Sequence, residues 1–184
     1  MRAAIGLGSN LGDRRAHIEQ ALAALESMPG VSVEAVSTLI ETEPVGGPPQ
    51  GPYLNAAALL SCELAPHGLL AVLQGLERGA GREPGPRWGP RPLDLDVLLL
   101  DGGERVVRDD ELEVPHPWLS GRRFVLEPLA EIAPHWKVTA GGRTVEYEKT
   151  RRRGEVTARP AQHRLGGSGR CLNAVNTNTA GDDE

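Results

Sequence analysis

Aromatic side chains are scarce in this chain, with three Trp, two Tyr and one Phe among 184 residues. The core must therefore be aliphatic, and each aromatic asks for a reason to be where it is. Cysteine is scarcer still: Cys62 and Cys171 are the only two, and Cys62 sits in an apolar, strand-like run. That excludes a disulfide framework and any zinc-ligand spacing, and makes the reducing cytoplasm the expected location. Positive charge is not in excess either, since the formal net charge is −5. With no basic field to collect a phosphate backbone, nucleic acid is not an expected partner, and local arginine clusters must have smaller targets. No apolar run reaches membrane-spanning length, and none stands as a signal segment before Ala3-Ala4-Ile5-Gly6-Leu7, so no membrane association is expected.

What the chain has in quantity is Gly (23) and Pro (15), which imply many turns and long loops. Its length suits one domain with an appendage. Residues 3–8 read as a strand, and Gly8-Ser9-Asn10-Leu11-Gly12-Asp13 supplies turn and N-cap chemistry for a helix whose apolar face is Ile18, Ala21, Leu22 and Leu25. Pro29-Gly30 stops it. Val31, Val33 and Ala35 alternate before the phase shifts to Val36, Thr38 and Ile40, the pattern of a bulged strand. Residues 43–52, rich in Pro and Gly, form a loop. From Tyr53 to Leu64 the alternation puts Tyr53 and Asn55 on one face and Leu54, Ala56, Ala58 and Leu60 on the other. A second helix begins at Pro66 and repeats Leu69, Val72, Leu73 and Leu76, a second irregular loop spans 81–92, and Leu93–Leu100 is a buried strand.

This order, β-α-β-β-α-β, predicts an α+β protein of ferredoxin-like type: an antiparallel sheet with helices packed on it. A further short helix is expected from Phe124 to Ile132, and a weak one from Glu146 through Arg153. The domain is expected to span 1–150. Residues 151–184 open with the basic run Arg151-Arg152-Arg153 and continue as a tail too poor in large apolar residues to offset its ordering entropy, hence disordered.

Chemistry concentrates in Asp94-Leu95-Asp96. Spacing of two puts both carboxylates on one strand face, where they repel unless a cation or arginine neutralises them. Taken alone, the tripeptide reads more readily as solvated acids at a strand end. The preceding loop changes that, because it carries Arg82, Arg87 and Arg91 beside Trp88. Guanidinium forks match phosphate geometry, and magnesium is held by one or two carboxylates plus substrate phosphates. The loop's glycines permit rearrangement, and its arginines are expected to gain partners only when a triphosphate arrives. Gly6-Leu7-Gly8-Ser9-Asn10-Leu11-Gly12 lacks the spacing of a dinucleotide fingerprint and is better explained by helix capping. His116, fixed between two prolines, is a candidate phosphate contact.

These residues together resemble the 6-hydroxymethyl-7,8-dihydropterin pyrophosphokinase family over residues 3 to about 135. The matching motifs are Gly8-Ser9-Asn10-Leu11-Gly12, Tyr53-Leu54-Asn55-Ala56, Gln74 with Glu77, Gly81-Arg82, Arg87-Trp88-Gly89-Pro90-Arg91 with Leu93-Asp94-Leu95-Asp96, and Val114-Pro115-His116-Pro117 with Arg122 and Phe124. The resemblance implies attack of the pterin hydroxymethyl oxygen on the β-phosphorus of ATP, with AMP leaving and two magnesium ions bridging phosphates to Asp94 and Asp96. It implies that Arg82 and Arg91 stabilise the transferring charge. It places Gln74, Arg87, Trp88, His116 and Arg122 at the nucleotide, and Thr42, Val45, Tyr53, Asn55 and Phe124 at the pterin. Many relatives carry a further arginine where Pro84 stands here, and some a basic nucleotide contact near Glu111. A monomer is expected. The rival function is a non-catalytic nucleotide or pterin sensor on the same fold, against which the intact Asp94, Asp96, Arg82 and Arg91 speak.

Overall fold

A computed structural model describes residues 1–86, 88–140, 143–149 and 156–160. Its centre is an antiparallel sheet of β1 (Arg2–Ser9), β2 (Val31–Val36), β3 (Ile40–Thr42), β4 (Tyr53–Cys62) and β5 (Asp94–Leu100). The order across it is β2-β4-β1-β5, with β3 also paired to β4, which is the split βαβ arrangement expected from the element order. The phase shift read in β2 is present as a register irregularity between Val33 and Ala35.

Two helices cover one face. In α1 (Arg14–Glu26), Asp13 caps the start by accepting from the Ala16 amide at 3.0 Å, and Ile18, Ala21 and Leu25 are buried. In α2 (Pro66–Gly79), Leu69 and Leu73 point inward. They pack against Ile5, Leu7, Ala58, Leu60, Leu95 and Val97, in a cluster without aromatic residues. The opposite face meets α3 (Arg123–Ile132), whose Leu126, Leu129 and Ala130 pack with Ala57, Leu59 and Leu98.

The chain after β5 makes a small hairpin of β6 (Val107–Arg108) and β7 (Glu113–Val114) before α3. Beyond α3, β8 (Lys137–Ala140), β9 (Arg143–Lys149) and β10 (Val156–Pro160) form a second antiparallel sheet in the order β10-β9-β8. This corrects two expectations. Residues 146–149 belong to a strand and not to a weak helix, and regular pairing runs past residue 150 into the segment read as tail. Pairing of Lys137 with Glu146 and of Val156 with Lys149 is what makes the strands, and neither contact is visible in a local window. The basic run 151–153 and residues 161–184 lie outside the described residues.

Candidate active site

Alternation along the strands decides which side chains are available for chemistry. With Leu95 and Val97 in the helix-covered core, Asp94 and Asp96 point to the α3 face, and register pairs them with Gly8 and Gly6 of β1. Gly8 is in turn paired with Asn55 of β4. Leu126, Leu129 and Ala130 of α3 fill the middle of this face, leaving Gly6, Gly8, Asn55, Asp94 and Asp96 lining a cavity of about 680 Å³. That volume suits a small-molecule site.

The cavity brings together Thr42, Val45, Tyr53, Asn55, Trp88, Arg91, Asp94, Asp96, Arg122 and Phe124, all singled out from the sequence. Tyr53 and Phe124 supply aromatic wall, and the Arg122 guanidinium lies 5.7 Å from the Phe124 ring centroid. Asn55 donates to Thr42 Oγ1 at 2.8 Å, which fixes its amide plane. The Tyr53 hydroxyl stands 3.3 Å from both Gln50 Oε1 and the Gly89 carbonyl, and burial pushes its pKa up.

At the charged end, Arg91 Nη1 donates to Asp94 Oδ1 at 2.8 Å and Arg82 Nη1 to the same oxygen at 3.0 Å. Arg82 also donates to Glu77 Oε1. The expectation that these arginines find partners only with a triphosphate is therefore corrected: their charge is already shared with Asp94 and Glu77. Asp96 takes the consequence. Burial, with Asp94 and then Glu77 nearby, raises its pKa to about 7. A desolvated carboxylate beside a second one is a place for a hard cation, and a pair opening on a cavity suits magnesium, whose shell substrate phosphates complete. Among the described residues no group of three or more His, Cys, Asp and Glu side chains converges on one point, so the donor set there is a pair and not a cage.

Other residues stand farther out. His116 is half-buried; its amide donates to the Leu98 carbonyl at 3.0 Å and its Nδ1 accepts from the Trp118 amide at 3.2 Å. Burial first, and Arg122 second, lower its pKa, so it is neutral near pH 7. Gln74 is exposed on α2 and does not line the cavity. Arg87 lies outside the described residues.

Four features were given no role in the site from the sequence, although Gly8, Asn10 and Glu77 lie in the motifs that carry the resemblance. The glycine motif does lead into the Asp13 cap of α1, and Gly6 and Gly8 within β1 line the cavity besides. Glu77 is buried, accepting from the Leu95 amide at 2.8 Å as well as from Arg82, and so ties the arginine loop to β5. It shares a stripe with Leu69 and Leu73, and a carboxylate in a core stripe is the signal that marks it. Asn10 joins both loops: its Oδ1 accepts from the Arg91 amide at 2.8 Å and its Nδ2 donates to Gln50 Oε1 at 2.8 Å. Gln50 Nε2 in turn donates to the Trp88 carbonyl at 2.8 Å.

Fold and site define a class: a ferredoxin-like protein whose cavity sets a carboxylate pair and arginines at one end and aromatic walls at the other, equipment for handling a phosphorylated substrate beside a flat one. Residues 4–134 match the family described as 7,8-dihydro-6-hydroxymethylpterin-pyrophosphokinase (HPPK). The chain is 46% identical over 144 residues to a 2-amino-4-hydroxy-6-hydroxymethyldihydropteridine pyrophosphokinase of Methylorubrum extorquens, covering 78% of this chain and 89% of that one. It is 41% identical over 147 residues to the protein of the same name from Bacillus subtilis, covering 80% and 87%. A crystal structure of Plasmodium falciparum HPPK-DHPS superposes with a TM-score of 0.54 at 12% identity, over 77% of this chain and 41% of that one, which shows the shared fold. The chain belongs to the HPPK family.

Proposed function

We propose that this protein transfers the pyrophosphoryl group of ATP to 6-hydroxymethyl-7,8-dihydropterin and releases AMP, acting as a monomer in the cytoplasm with two magnesium ions. The observation that carries the reading is the convergence on one cavity of Asp94 and Asp96, Arg91, and the Tyr53–Phe124 walls. In the reaction the pterin hydroxymethyl oxygen bonds to the β-phosphorus while the α–β bridging bond breaks. AMP departs with the electron pair, and the hydroxyl proton is lost to solvent.

The cavity-lining residues take roles that their positions support, and Gln74, Arg87 and His116 take theirs from the family resemblance. Asp94 and Asp96 would hold the magnesium, which when bound would offset triphosphate charge and polarise the phosphorus under attack. Arg82 and Arg91, which share Asp94 here, exchange that carboxylate for phosphate oxygens as charge develops. Gln74, Arg87, Trp88, His116 and Arg122 serve the nucleotide, His116 as a neutral hydrogen-bonding imidazole. Tyr53 and Phe124 sandwich the pterin ring, Val45 and Thr42 flank it, and Asn55, oriented by Thr42, reads its polar edge.

Incubation with ATP, magnesium and the pterin is expected to yield AMP and pterin diphosphate in equal amounts, read by chromatography. Binding of both substrates without AMP would leave a sensor instead, and ADP as product would overturn pyrophosphoryl transfer. Phe124→Ala is expected to weaken pterin binding by about 0.5–1.5 kcal/mol or more, the scale of an aromatic pair beyond its buried area. Unchanged affinity by calorimetry would take Phe124 out of the pocket.

A further inference from the structure

Arg14 occupies the first position of α1, directly after the Asp13 cap, at the helix end where the dipole disfavours a cation. Its charge is used elsewhere. Nη1 donates to the Pro52 carbonyl at 2.8 Å, and Nη2 pairs with Glu41 Oε2 at 2.7 Å. Those partners sit on the two arms of one hairpin: Glu41 is in β3, and Pro52 directly precedes β4. The fork of one guanidinium therefore spans the base of the loop 43–52, a geometry that the point charge of lysine cannot reproduce. Beside it, Asn10 Nδ2 holds Gln50 Oε1 at 2.8 Å and the Gly51 carbonyl at 3.3 Å, so the β1–α1 turn grips residues 50, 51 and 52 in succession.

The residues next to the gripped ones are Thr42 and Tyr53, which pair across β3 and β4 and both line the cavity. Without the clip, β3 is tied to β4 by three register pairs and the Asn55–Thr42 side-chain hydrogen bond. We propose that Arg14 is a positioning residue for the pterin wall: by clamping Glu41 and Pro52 it fixes where Thr42 and Tyr53 stand. It touches no substrate and acts through the hairpin. Because both partners are substantially exposed, at 30% and 56% of their side-chain surface, the ion pair contributes little to global stability. Position is what it supplies, and small displacements of a substrate-orienting group carry large effects on ligand use.

The inference rests on the pterin-binding reading, so its test is a comparison of variants with the parent by direct binding as well as turnover. Pterin affinity is measured by calorimetry with a nonhydrolysable ATP analogue present, alongside KM for each substrate, kcat and Tm, for R14M, R14K and E41Q. R14M is expected to raise the pterin Kd and KM about tenfold, with kcat and the ATP KM within about twofold and Tm near the parent. R14K should fall between parent and R14M. E41Q should show a smaller shift in the same direction, and R14M/E41Q should be no worse than R14M, since the carboxylate has already lost its partner. Pterin affinity unchanged in both R14M and E41Q would overturn the proposal, as would a joint fall of Tm, kcat and both affinities. A parent that binds no pterin would overturn the functional reading itself.

Discussion

Asp94→Asn and Asp96→Asn are each expected to lower turnover by about a hundredfold or more, the scale of losing a metal's charge stabilisation in a transition state. Asparagine keeps volume and hydrogen bonding, so only the charge that holds a cation is removed. The two variants should nevertheless differ. Asp94 accepts from Arg82 and Arg91, so D94N also frees two guanidinium groups that a neutral amide holds less firmly. Asp96 is the desolvated member, its pKa raised from 3.8 to about 7. In metal-free protein its ionised form costs stability, because the unfolded chain ionises near 3.8 whereas the fold resists ionisation until about 7. That cost is absent below the unfolded pKa, grows as pH rises, and is complete above the folded one. D96N should therefore raise the Tm of metal-free protein, most at pH 8 and least near pH 4, while turnover falls. Near-parent turnover and magnesium dependence in both variants would move the metal elsewhere.

Some of this was legible in residues and some was not, for physical reasons. Periodicity placed the helices and the strand faces because burial imposes it: Leu69 and Leu73 are inside and Asp94 and Asp96 share a face as spacing requires. What spacing could not show was partnership. Arg82 and Arg91 read as cations waiting for phosphate, yet a neighbouring carboxylate and the Glu77 side chain already hold them. The pair β9 and β10 was hidden because charged, weakly apolar segments become strands through non-local pairing. Arg14 was passed over for the same reason: its partners lie 27 and 38 positions along the chain, at Glu41 and Pro52. The glycines of β1 had a local explanation in helix capping, and only the neighbouring strands reveal that they serve the cavity.

Gly8→Val is expected to weaken pterin binding about a hundredfold while leaving the fold intact, since forcing extra methyl groups into a filled space costs about 1–3 kcal/mol. A Cβ added at Gly8 would lie 3.2 Å from Asn55 Oδ1, 3.7 Å from Asp94 Cβ and 3.8 Å from Tyr53 Cδ1. The first of these contacts is tight and involves an amide already fixed by Thr42, so it yields little. Valine's two further methyls must then enter the cavity, where the ring of the pterin is proposed to lie. The backbone does not oppose the change, because Gly8 is not among the glycines with positive φ and β-branched residues favour strands. Gly8→Ala should have an intermediate effect. Gly6→Ala is the control, since its Cβ would meet Leu98 at 3.4 Å, an ordinary contact with a flexible side chain. If Gly8→Val melts far below the parent, Gly8→Ala at native Tm decides the matter by calorimetry. Full pterin affinity in a folded Gly8→Val protein would show that the ring does not rest against β1.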